Sequence, residues 1–215
     1  MPTAIWLPEA GQQAAGPDRD QVLPDWALDK IRTEFTQDRG PGPCSGPDHA
    51  PAPLLRISIH DTAPGMDART PCTTYPEPDT PDGPISATST APVLVAELHP
   101  NALPTPEPTP DTGCTKTPGT GEDDWPGFFH RAHHLLPNDG LLLLATRQHR
   151  EAGVLTDPLG TLIACARTAG FRYLQHIVIA HAHAVGDKLM PSPPADAAPG
   201  VIHSDLIVLS AIHHG

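Results

Sequence analysis

The spacing of apolar positions along this chain changes several times, and each change predicts an element. From Asp124 onward, Trp125, Phe128, Phe129, Ala132, Leu135 and Leu136 recur at helical intervals and form one stripe of an amphipathic helix. Asp123 and Asp124 suit the positive end of its dipole, and Pro126 is tolerated in a first turn. The breaker Pro137-Asn138-Asp139-Gly140 ends it. Leu141–Thr146 follows without alternation, which predicts a strand buried on both faces. Asp157 caps a further helix, with Pro158 at its first position and Gly170 closing it. Leu159, Leu162, Ile163 and Ala166 form its buried side. Strands are predicted over Arg172–His181 and Asp205–Ile212. The Pro-rich loop from Ala182 to Ser204 offers no helix, so these two strands pair most simply as antiparallel neighbours.

The first half is less regular. Ala4-Ile5-Trp6-Leu7 predicts an edge strand or a packed arm. Pro24 to Phe35 reads as a helix, with Trp26, Leu28, Ile31 and Phe35 on its apolar side. Leu54–Ile59 and Val93–Leu98 are short aliphatic runs between breakers, the mark of buried parallel strands. Proline separates these elements: 19 of the chain's 29 prolines fall between Pro41 and Pro126. Such density excludes long helices or central strands, so 38–53, 66–90 and 102–122 are expected to be linker-like segments. The whole of 1–215 is expected to be a single domain carrying these segments.

Charge narrows the function classes. The formal net charge is −12, with 13 Lys and Arg against 25 acidic residues, which opposes strong autonomous binding to a phosphate backbone. Arg147 and Arg150 are close in sequence and are expected to be solvated in a loop. No Cys-x-x-Cys occurs among Cys44, Cys72, Cys114 and Cys165, so neither a disulfide framework nor a thiolate metal site is expected. No apolar run approaches the roughly 20 residues that span a bilayer, and a soluble cytoplasmic protein is the expectation.

Thirteen histidines raise the question of a metal. His130 and His134 stand at i, i+4, His181 and His183 flank one residue, and His213-His214 lie together. Zinc sites draw about four ligands from such pairs. Here the helical pair falls beside the apolar stripe, so solvated histidines and no metal are expected. Ser204 between His203 and Asp205 is adjacency in sequence, with no nucleophile elbow around it. Trp125, Phe128 and Phe129 are expected to be core rather than a stacking platform.

The succession from Asp124 to Ile212 resembles the second half of class I S-adenosylmethionine-dependent methyltransferases. Pro137-Asn138-Asp139-Gly140 is similar to that family's link before its fifth strand. Ala169-Gly170-Phe171 resembles the end of its next helix, and His203-Ser204-Asp205-Leu206-Ile207-Val208-Leu209 its last strand in DNA amino-methyltransferases. Met1-Pro2-Thr3-Ala4-Ile5-Trp6 is similar to the opening of actinobacterial DNA-methylase-like proteins. The resemblance implies an α/β fold, a reduced Rossmann-like methyltransferase sandwich. Its mostly parallel sheet would carry helices on both faces and an antiparallel last strand beside the fifth.

The resemblance also implies the cofactor S-adenosyl-L-methionine and methyl transfer to an exocyclic amino group, with nucleic acid as partner. The cofactor cradle falls on Asp61, Ala63 and Gly65, in Asp61-Thr62-Ala63-Pro64-Gly65, which keeps one acid and one glycine. The acceptor side falls on Glu97, His99 and Pro100, in Glu97-Leu98-His99-Pro100-Asn101, which keeps one proline and lacks the aromatic. These departures define an alternative: a non-catalytic relative that keeps the scaffold as a binding or assembly module for a protein partner.

Overall fold

The computed structural model describes residues 3–9, 21–36, 54–59, 73–74, 92–99, 125–151, 154–193 and 201–213. In chain order these form β1 (Thr3–Trp6), α1 (Asp25–Thr36), β2 (Leu54–Ile59), β3 (Thr73–Thr74), β4 (Val93–Leu98) and α2 (Trp125–Leu135). Then follow β5 (Leu141–Thr146), β6 (His149–Glu151), β7 (Val154–Thr156), α3 (Leu159–Thr168), β8 (Phe171–Ala180), β9 (Ala182–Val185), β10 (Lys188–Pro191) and β11 (His203–Ala211).

Seven strands make one sheet in the order β1-β8-β11-β5-β4-β2-β3. β2, β4 and β5 run parallel in continuous register, so that Leu54, Val93 and Leu141 lie side by side. β11 runs antiparallel between β5 and β8, and β1 joins β8 in parallel at the edge. The chain is therefore α/β with a mostly parallel sheet. β5 lies between β4 and β11, the last strand, and the antiparallel pairing of β8 with β11 is as expected.

All six residues of β4 and all six of β5 are buried, because each strand feeds two cores by alternation. Leu94, Ala96, Leu98, Leu142 and Leu144 face Trp125, Phe128, Phe129 and Ala132 of α2 and Leu162 and Ala166 of α3. Val93, Val95, Leu141, Leu143 and Ala145 face Leu28 and Ile31 of α1, together with Val22 and Leu23 before it. Helices thus cover both faces. Leu135 departs from the predicted stripe and is half exposed, while Leu136 is buried.

Local chemistry sets the boundaries. Asp157 Oδ1 accepts the Leu159 N–H at 3.0 Å, so Asp157 acts as the cap and Pro158 opens the helix, its carbonyl taking the Leu162 N–H. Gly170 follows α3 at φ +96°, a conformation that a side chain resists. Gly140 is needed for space: a Cβ there would meet Pro137 O at 2.8 Å. The turn it serves is bound to β11, since Asp139 N–H donates to Ala211 O and Ala211 N–H to Gly140 O.

Several expectations require correction. The loop predicted over 182–204 contains the β9–β10 hairpin, and the loop after β5 contains the β6–β7 hairpin. Within the predicted linker 66–90, Thr73–Thr74 pairs antiparallel with Leu55 and Arg56. The predicted linkers 38–53 and 102–122 lie outside the described residues, as does the rest of 66–90. Among the described residues no helix is long and apolar enough to cross a membrane.

A charge at the centre of β5 tests this architecture. Leu143→Asp buries a carboxylate at a position with 0% exposure, without a partner, and is expected to cost several kcal/mol in urea unfolding. A variant that unfolds at the wild-type midpoint would be incompatible with a central β5.

Candidate functional site

The carboxyl ends of β2, β4, β5 and β8 lie at one side of the sheet, the side where open α/β sheets take ligands. Polar groups gather there within an otherwise apolar interior. Glu97, Thr146, Arg147, His181, Ser204 and Asp205 are all buried at the strand ends. Alternation divides them between the two faces.

On the α1 face, Glu97 ends β4 at 1% exposure. Its Oε1 pairs with the Arg56 guanidinium from β2. Its Oε2 accepts the Val22 N–H at 3.0 Å and the Leu23 N–H at 3.1 Å. A carboxylate offers about four acceptor positions, and three are engaged here. Glu97 therefore anchors the segment entering α1, a different role from the acceptor-facing one that its position at the strand end suggested.

Ser204 completes the anchor from β11. Its hydroxyl donates to Val22 O at 2.8 Å. Since that uses the only hydroxyl proton, His181 Nε2 must carry a proton and donate to Ser204 Oγ, also at 2.8 Å. His181 thus acts as a donor, the opposite of what activating a serine nucleophile requires. Burial, then the nearby Arg147 and His203, push the His181 imidazole down to about 4. Arg147 itself is 1% exposed, which corrects the expectation of a solvated arginine. The side chain of Arg150 lies outside the description.

On the α2/α3 face, Asp205, the third residue of β11, stands opposite Thr146 of β5. His176 Nε2 donates to Asp205 Oδ1 at 2.8 Å, and His203 Nε2 stands 3.8 Å from the same oxygen. Asp205 Oδ2 and Thr146 Oγ1 are buried without a hydrogen-bond partner. The structure thus joins Asp205 and His203, which the last-strand motif had brought forward, to His176 and Thr146. The latter two carried no motif; Thr146 ends its predicted strand and His176 lies in the middle of its own.

The other expected site residues are distributed as follows. His99 continues β4, its N–H donating to Ile59 O at 2.9 Å and so extending the β2–β4 ladder by a step. Pro100, Asp61, Ala63 and Gly65 lie outside the described residues. His130 and His134 are exposed on α2 with ring centroids 5.5 Å apart. His133 and His213 stack at 4.2 Å and bond the carbonyls of Ile212 and Leu136. Among the described residues no group of three or more His, Cys, Asp or Glu side chains is arranged to hold a metal ion.

No protein-family model matches this chain. No curated protein matches it either.

Two measurements test the anchor. Glu97→Ala leaves Arg56 and two amides without their carboxylate and is expected to destabilise the fold by about 3–5 kcal/mol. Wild-type stability in that variant would free Glu97 for another role. The second concerns pH. The unfolded chain takes up a proton near the ordinary histidine value of 6.5, whereas folded His181 does so near 4. The stability this histidine confers is therefore complete above pH 6.5 and lost as pH falls toward 4. At about 1.36 kcal/mol per unit the loss is at most about 3 kcal/mol. His133, also lowered by burial, acts in the same direction. Urea unfolding across this range should show the loss, and His181→Gln should reduce it.

Proposed function

We propose that this chain is a cytoplasmic, class I S-adenosylmethionine-dependent methyltransferase-like protein whose acceptor is an amino group. The observation that carries this reading is the strand order β8-β11-β5-β4-β2, in which β11 alone is reversed. An antiparallel last strand inserted beside the fifth is what the resemblance of Asp124–Ile212 implies, and it agrees with residue patterns that were read independently of it. S-adenosyl-L-methionine would supply an electrophilic methyl group. Asp61, Ala63 and Gly65 are the residues that would hold it. The described part of β2 suits that role, because this strand lies between β3 and β4 and ends on a buried residue, Ile59, still bonded to His99.

A second reading, a non-catalytic methyltransferase-fold module for binding or assembly, is favoured by Glu97. The acidic group near the end of β4 is closed off by Arg56 and by the backbone of Val22 and Leu23.

Thermal unfolding with S-adenosylmethionine separates the two. A dissociation constant tighter than about 100 μM raises stability by more than about 1 kcal/mol at millimolar ligand. Methyl label from the cofactor should also appear in DNA or in free nucleosides. Absence of both the shift and the label would sink the methyltransferase reading and leave the module.

A further inference from the structure

The geometry points to Asp205 and Thr146 as the place where an amino group of a small, uncharged molecule is received, an inference that rests on the methyltransferase-like reading and moves its acceptor site away from Glu97.

Asp205 and Thr146 are directly paired across β11 and β5, so their side chains stand on one face within roughly 5 Å at Cβ. They are 2% and 0% exposed. Each leaves one oxygen without a partner, Oδ2 of Asp205 and Oγ1 of Thr146. Buried polar atoms are nearly always satisfied, so two adjacent exceptions at the ligand-taking side of an α/β sheet call for a missing partner.

The chemistry of that partner follows from the atoms. A carboxylate oxygen only accepts, and the threonine hydroxyl accepts or donates. An amino group brings two N–H donors, one for each oxygen. A carbonyl or phosphate oxygen in the same place would face a carboxylate and be repelled. Asp205 Oδ1 is already held by His176, which fixes the carboxyl plane and leaves Oδ2 for the ligand. The side chains of His176 and His203, 22% and 28% exposed, are the members of this group that reach solvent, and they mark its open side. The chain's net charge of −12 favours a free nucleoside or similar molecule over a phosphate-bearing strand.

The test is titration calorimetry with adenosine and cytidine, each against its counterpart with oxygen in place of the amino group, inosine and uridine. At least one amino form is expected to bind at least about tenfold more tightly than its counterpart. Asp205→Asn should abolish that preference, and Thr146→Val should reduce it. Without ligand, Thr146→Val is expected to melt at or above the wild-type temperature, since it removes an unsatisfied hydroxyl. Three results would each overturn the proposal: equal binding of amino and oxygen forms, no binding of any of these nucleosides, or a preference that survives Asp205→Asn. No binding would mean that a structural water is the partner, and a preference that survives Asp205→Asn that the amino group is held elsewhere. A thermal shift with S-adenosylmethionine, recorded on the same samples, reports separately on the methyltransferase reading.

Discussion

Much of this structure depends on how one stretch of irregular backbone is buried. Val22 and Leu23 are 1% and 0% exposed and precede α1 without belonging to a helix or strand. Buried peptide groups need partners, and here side chains supply them. Glu97 takes both amide protons and Ser204 gives its proton to the Val22 carbonyl. Glu97 ends β4 and Ser204 opens β11, so the segment bridges two strands across β5. The bridge seats α1 on the sheet and closes the α1-side core over Leu143 and Ala145.

The charges involved follow from that arrangement. A carboxylate at 1% exposure is expensive to bury unless a cation and donors meet it, and Arg56 with two amides does so. His181 sits beside Arg147 in the same buried region and stays neutral for that reason. Neutral His181 donates to the Ser204 oxygen while Ser204 donates to Val22, so one run of hydrogen bonds links the residue after β8 to the segment before α1. Histidine and serine side chains here form a structural chain of hydrogen bonds onto the Val22 carbonyl, and their order of donation shows it.

The framework was legible because its signals are local and strong. The unbroken run Leu141–Thr146 can only be a doubly buried strand, and Gly170 closes α3 in the conformation expected of a terminal glycine. Pairing β11 against β8 followed from the lack of a helix between them. The hairpins were missed for a different reason. Proline density masked the β9–β10 hairpin, although Gly186-Asp187 between two short strands is a turn signal, and Gly186 adopts φ +62°. The burial of Arg147 and the contacts of Glu97 were not legible, because partners distant in sequence decide whether a charge is exposed or held. Arg56 and Glu97 are 41 residues apart, and Val22 and Glu97 are 75 apart. No periodicity encodes such a meeting.

The two faces of the sheet end differently at their carboxyl side. On the α1 face the polar atoms of Glu97 and Ser204 are turned inward on the protein's own backbone, so a ligand arriving there would have to displace a helix. On the α2/α3 face the polar atoms of Asp205 and Thr146 are buried but incompletely used. Folding alone gives no reason to keep an unsatisfied carboxylate oxygen beside an unsatisfied hydroxyl, because an apolar pair of the same size would pack there at lower cost.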